Sequence, residues 1–284
     1  MEKTFFVCIG AQKAGTTWLN DYLSKLPEAF IGPVKEINYF SDLQKLPIAI
    51  EGLQKQQQEL ELIAPEIRTA AKNRILASIK FRLGVLQEEG AYEQFFTDNV
   101  KQEKVFGEVS PAYAALGRSG FQKIIDIYPQ AKFIFTLRNP ADRFWSQLNF
   151  RNRRVESNAP FGDPHINKAM KLRVFRNHCE YLETLNALDQ LVPAENVHVM
   201  FFENLFGANS QSCIRQLTAF LDIEYQPGNT DRFQNAGKGE QLSEERRARF
   251  VKEFAYIYEG IFSRMNGQVP ENWREDMQKY LGLN

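Results

Sequence analysis

Histidine and cysteine are scarce in this chain, with three of each among 284 residues. The cysteines, Cys8, Cys179 and Cys213, are odd in number, widely spaced and nowhere arranged as C-x-x-C. That excludes a disulfide framework and a zinc site of ordinary ligand spacing, and it is the usage expected of a reducing, cytoplasmic setting. Long apolar runs are lacking as well. The opening "TFFVCIG" is too short for a signal-peptide core, and no run approaches the roughly 20 residues of a membrane span. Net charge is missing too: 35 Lys and Arg balance 35 Asp and Glu, so no global field draws in nucleic acid or a membrane surface. Any anion site must therefore be built locally.

What is present reads as one α/β domain over residues 1–284, with 43% apolar residues and enough phenylalanine (23) to fill a large core. "TFFVCIG" (4–10) is a continuous apolar run ending in glycine, as in a strand buried on both faces, and Cys8 within it packs as a small hydrophobe. Trp18, Leu19, Tyr22, Leu23 and Leu26 then fall at helical spacing. Further strands are predicted in "AFIG" (29–32), "KVFGEVSPAY" (104–113), "AKFIFTLR" (131–138) and "ENVHVMFFENL" (195–205), with a helix from Ser210 to Leu221. Residues 43–100, rich in Gln, Glu and Lys, read as a helical insertion, and 151–175 as a polar loop interrupted by Pro and Gly. Ser243 can cap a helix carrying the apolar stripe Phe250, Phe254, Ile257, Tyr258 and Ile261. Strands alternating with helices predict a central, mostly parallel sheet flanked by helices, with right-handed crossovers.

Between the first strand and helix lies "GAQKAGTT" (10–17), which has the glycine spacing of a Walker A phosphate loop. The lysine is displaced: Thr16 follows Gly15 where that motif has lysine, and Lys13 sits inside the loop. Backbone N–H groups and a helix N-terminus still suit an anion there, with Thr16 and Thr17 adding hydroxyls. A second candidate is "FTLRNPADRFWSQ" (135–147), where a strand ends in Arg138, Asn139 is a natural N-cap and Pro140 fits the first helical position. Arg138 would emerge at the carboxyl end of its strand, where open α/β sheets bind ligands, with Ser146 about two turns into the helix. A guanidinium there matches a phosphate bidentately.

Together these segments resemble the sulfotransferases that use 3′-phosphoadenosine-5′-phosphosulfate (PAPS). "VKEINYFSD" (34–42) and "GEVSPAY" (107–113) are similar to the "KE-x-x-FF" and "EK-S/T-P-x-Y" segments of that family's heparan-sulfate, Golgi-type branch. "NAGKGEQLSEERRARF" (235–250) is similar to its late loop and final helix, although Glu240 stands where arginine is usual. The resemblance implies a P-loop NTPase-like, three-layer α/β fold and no metal requirement. It places the 5′-phosphosulfate at Gln12, Lys13, Ala14, Gly15, Thr16, Thr17 and Trp18. The 3′-phosphate falls at Arg138 and Ser146, with Lys238 and Gly239 closing over it. A sulfuryl on one phosphate needs no metal bridge, and "KFIFTLR" ends in Arg rather than in an Asp that would hold Mg²⁺.

Sulfuryl transfer to a hydroxyl needs a base. The family's cytosolic branch uses a histidine, but His165, His178 and His198 do not match that position, and His198 falls within a predicted strand. Glu36 matches the carboxylate base of the heparan-type branch, which gives Lys13 the leaving phosphate and Lys35 a supporting charge. Glu108 and Ser110, at the end of the third strand, are candidates to orient Lys13 or the acceptor. Arg151, Arg153 and Arg154 are candidates to meet an anionic acceptor. The acceptor itself, whether small molecule, glycan or carrier-bound hydroxyl, is not specified by these residues, and neither is an oligomeric state. The competing readings are a kinase using ATP and Mg²⁺ on a similar loop, and a module that only binds a nucleotide or a carrier protein.

Overall fold

A computed structural model describes residues 3–154, 162–231 and 240–283. At its centre is a sheet of five parallel strands in the order β2-β3-β1-β4-β5. These are β1 (Thr4–Gly10), β2 (Ala29–Ile31), β3 (Val105–Val109), β4 (Lys132–Leu137) and β5 (Val197–Phe201). The alternation along β1 explains the layering. Phe5, Val7 and Ile9 enter one apolar cluster, Phe6 and Cys8 enter another on the opposite face, and all five are 3% exposed or less. Burial pushes the Cys8 thiol up to about 12, as expected of a residue acting as a hydrophobe.

The smaller cluster packs α1 (Thr16–Leu23) against the sheet through Trp18, Leu19 and Leu23. The larger cluster carries the insertion after β2: α2 (Tyr39–Leu43), α3 (Leu46–Glu61), α4 (Ala70–Gln87) and α5 (Ala91–Asn99). Leu76, Ile79, Leu83, Leu86, Tyr92 and Phe96 from this insertion are buried in core. The chain continues through α6 (Gly117–Ile127) and α7 (Pro140–Arg154). It then forms α8 (Asp163–Lys171), α9 (Arg173–Arg176) and α10 (Tyr181–Asp189), and, after β5, α11 (Phe202–Leu205) and α12 (Ser210–Leu221). Three helices close it: α13 (Glu244–Glu253), α14 (Ala255–Arg264) and α15 (Glu271–Leu281).

Two expectations change. The segment 151–175 was expected to be a loop, yet its described part is helical, because Gly162 and Pro164 start α8 instead of breaking it. Proline in the first helical turn lacks only an N–H that would have no intrahelical partner. The C-terminal stripe is divided between α13 and α14, which meet at Phe254, although all five stripe residues are fully buried. The predicted cap is present, with the Ser243 side chain accepting from the Arg246 N–H. No helix among the described residues is long and apolar enough to cross a membrane.

Candidate active site

All five strands are parallel, so their carboxyl ends open on one edge, and the sequence order reverses at β1. Ligand sites in such sheets form at that reversal. The loop leaving β1 turns sharply into α1: Lys13 has φ 72° and Gly15 φ 84°, both left-handed. A non-glycine residue held in this region is uncommon and costs about 1 kcal/mol or more, which an anion-binding turn can offset. Gly15 is the N-cap of α1 without a side-chain cap, so the first N–H groups of the helix, at Thr16 and Thr17, are left for a ligand. A β-carbon at Gly15 would meet Phe206 Cε2 at 2.7 Å.

Arg138 leaves β4 beside this loop, and its Nη1 donates to the Lys13 carbonyl at 2.9 Å. The two segments predicted to hold anions are therefore adjacent. The guanidinium lies 4.4 Å over the Phe202 ring, and its Nε is buried without a hydrogen-bond partner. Burial lowers the Arg138 pKa, against the pull of the carboxylates of Asp142 and Glu203. Asn139 caps α7 as expected, its Oδ1 accepting from the N–H groups of Ala141 and Asp142 at 3.1 and 3.3 Å. Ser146 is half-buried on the same helix, and one turn further the Lys13 ammonium lies 4.3 Å over the Phe150 ring.

Glu36 arrives from the opposite side. Lys35 Nζ donates to Thr17 Oγ1 at 2.9 Å and to Glu36 Oε1 at 3.0 Å, tying the carboxylate to the phosphate loop. Glu36 and Asn38 both have φ 60°, so this segment doubles back sharply. A buried network holds it. Glu108 is 1% exposed, and its Oε1 accepts from the hydroxyls of Tyr92 and Tyr113, each at 2.7 Å. Its Oε2 accepts from Ser110. The Ser110 Oγ in turn accepts the Asn38 N–H at 3.2 Å, and the Tyr113 hydroxyl accepts the Phe40 N–H at 3.1 Å. Burial raises the Glu108 pKa, and these donors oppose the rise. Glu108 and Ser110 thus support the Glu36 segment from beneath.

Trp18 is 5% exposed, stacks on Tyr22 and donates its indole N–H to the Asn229 carbonyl at 2.7 Å. It fixes the irregular segment after α12; Lys238 and Gly239 lie outside the described residues, as do the side chains of Arg153 and Arg154. Arg151 stacks on Phe175 at 4.4 Å. The histidines sit elsewhere: His165 is exposed on α8, His178 follows α9, and His198 is in β5. Tyr92 was expected only in the insertion that walls the acceptor side, and Tyr113 and Phe150 were not anticipated as site residues; Tyr113 carried a local sign, within "SPAY".

A five-stranded parallel sheet flanked by helices, with a glycine-cornered loop after its first strand and an arginine from the neighbouring strand at the same edge, is a P-loop NTPase-like α/β fold. The sequence matches the model of the sulfotransferase family over residues 6–227, and the chain belongs to that family. Solved structures agree in fold. A sulfotransferase from Alicyclobacillus acidocaldarius superposes with TM-score 0.66 at 24% identity, covering 96% of this chain and 99% of its own. The sulfotransferase domain of the Synechococcus PCC 7002 olefin synthase gives 0.54 at 16% identity, with 92% and 94% covered. A sulfotransferase domain from the curacin biosynthetic pathway gives 0.52 at 16%, with 95% and 99% covered. No curated protein sequence matches significantly. Family membership makes the chain a sulfuryl-transferring enzyme.

Proposed function

We propose that the enzyme moves the sulfuryl group of PAPS to a hydroxyl acceptor, with Glu36 as base and Lys13 at the leaving phosphate. The carrying observation is Lys35, whose ammonium joins Thr17 of the phosphate loop to the Glu36 carboxylate. That contact sets a proton acceptor beside the loop where the donor's reacting end would lie. The residues suit the donor's charge: an uncapped helix start, Lys13, Lys35, and an Arg138 whose buried Nε has no hydrogen-bond partner. PAPS supplies an activated sulfuryl on its 5′-phosphate and a second anion at the 3′ position. In the transfer, the sulfur–oxygen bond to the 5′-phosphate breaks and a new one forms to the acceptor oxygen. Glu36 takes the acceptor proton, Lys13 meets the charge developing on the leaving oxygen, and 3′-phosphoadenosine-5′-phosphate (PAP) departs.

Arg138 and Ser146 hold the 3′-phosphate in this reading, with Gln12, Ala14, Gly15, Thr16 and Thr17 around the 5′ end. The insertion bounds the acceptor side, since Tyr39, next to the Glu36 turn, stacks on Tyr92 of α5 at 4.2 Å. The acceptor class is a small-molecule, glycan or carrier-bound hydroxyl, and a labelled-PAPS screen over sugars, phenols, lipids and acyl carriers would identify it. Thermal shifts with PAP against ATP and Mg²⁺ test the donor: stabilisation by PAP is expected, and a preference for ATP would refute the proposal. Glu36→Gln should lower turnover about 10²- to 10⁴-fold with PAP binding unchanged. Wild-type turnover in that variant would remove Glu36 from the role.

A further inference from the structure

The two residues that join β4 to α7, Arg138 and Asn139, are held by several hydrogen bonds. The Arg138 carbonyl accepts from the Tyr181 hydroxyl at 2.8 Å, and the Asn139 N–H donates to Glu203 Oε1 at 2.8 Å. The Asn139 side chain is fully buried. Its Nδ2 donates to Asp276 Oδ2 at 2.8 Å, and its Oδ1 lies 2.7 Å from the Tyr258 hydroxyl. Arg247 completes the set, donating to Asp276 at 2.9 Å and to Asp142, in the first turn of α7, at 2.5 Å. Asp276, Tyr258 and Arg247 come from α15, α14 and α13, all beyond the 6–227 stretch that matches the family.

Capping α7 needs only Asn139 Oδ1, and a solvent-exposed asparagine would do it. Burying an aspartate at 4% exposure to bind the other end of that amide is costly, and burial raises its pKa accordingly. The bond it makes fixes the rotation of the residue directly after Arg138. A planar guanidinium binds phosphate well only in a narrow range of positions, so fixing its backbone sharpens the match. We infer that Asp276, with Tyr258, is a positioning residue that holds Arg138 in register for a 3′-phosphate, making the C-terminal helices part of the donor site. The inference rests on the PAPS reading.

Calorimetric titration of the full chain with PAP and with adenosine 5′-monophosphate, which lacks the 3′-phosphate, tests it. Asp276→Ala removes the acceptor of Asn139 Nδ2, and Tyr258→Phe removes one hydroxyl with little change of shape. In whichever variant folds, PAP affinity should fall about tenfold while the monophosphate affinity holds, as for Arg138→Ala. A general loosening of the fold would weaken both nucleotides alike. Equal loss for both, or no loss for either, overturns the inference. A wild-type protein that binds PAP no more tightly than the monophosphate overturns the donor reading itself, and this inference with it.

Discussion

Removing single hydroxyls from the Glu108 network gives the sharpest test of how the Glu36 segment is held. Tyr92 and Tyr113 are both fully buried, and each donates to the same carboxylate oxygen at the same 2.7 Å. Tyr92→Phe deletes one hydrogen bond to a buried carboxylate, a loss of about 1.5–3 kcal/mol. Tyr113→Phe deletes an equivalent bond and also strands the Phe40 N–H, which that hydroxyl accepts at 3.1 Å. Phe40 lies in the first turn of α2, so its N–H has no intrahelical partner, and leaving it buried adds about 1–3 kcal/mol. The expected totals are about 2 kcal/mol for Tyr92→Phe and about 4 kcal/mol for Tyr113→Phe. Urea unfolding with linear extrapolation reads both. Turnover should follow the same order with PAP affinity unchanged, because Phe40 belongs to the segment bearing Glu36 and not to the phosphate loop. If Tyr113→Phe costs no more than Tyr92→Phe, the Phe40 contact carries no energy and the account of this network is wrong.

Gly15→Ala should weaken PAP binding more than tenfold and lower the melting temperature. It places a β-carbon at φ 84° and 2.7 Å from Phe206, and unchanged affinity would mean that the loop adapts freely. His198 is half-buried against Phe220 with its Nε2 enclosed and unpartnered, and desolvation lowers its pKa from 6.5 to about 4. The unfolded chain then binds a proton below pH 6.5 that the folded chain refuses until about pH 4, so stability is full above 6.5 and lost as pH falls. Between pH 7 and pH 5 the loss is about 2 kcal/mol, and His198→Phe should flatten a pH series of urea midpoints by that amount. An unchanged slope would place the acid sensitivity elsewhere, with His178, lowered likewise to about 4, the next to replace.

Legibility in the sequence followed the range of the interactions. The apolar run of β1, the Asn139-Pro140 helix start and the α12 boundaries depend on neighbours a few residues away, and they were read correctly from spacing and capping chemistry. The turn through Lys13 and Gly15 was readable from the spacing of Gly10 and Gly15, whereas the left-handed backbone at Lys13 left no mark in the sequence. The rest depends on contacts that leave no periodic trace. Tyr92 meets Glu108 across 16 residues, and Asn139 meets Asp276 across 137. Neither aspartate nor tyrosine at those positions breaks the local helical pattern in a way that marks it. Punctuation residues misled where tertiary context reused them, as Pro164 did by opening α8.

The insertion between β2 and β3 leaves and rejoins the sheet at one edge, while Arg138 and α7 hang from β4 on the far side of β1. For engineering, this divides the molecule into a chassis and an exchangeable part. The α3–α4 hairpin packs on α2 and α5, so a hairpin of different length can replace it provided that the buried positions Leu53, Ile79, Leu83 and Leu86, which join it to the larger cluster, stay apolar. The splice must end before α5, because Tyr92 is bonded to Glu108 and so belongs to the chassis. A chimaera cut between Gln87 and Ala91 keeps that bond, and one cut after Asn99 forfeits it.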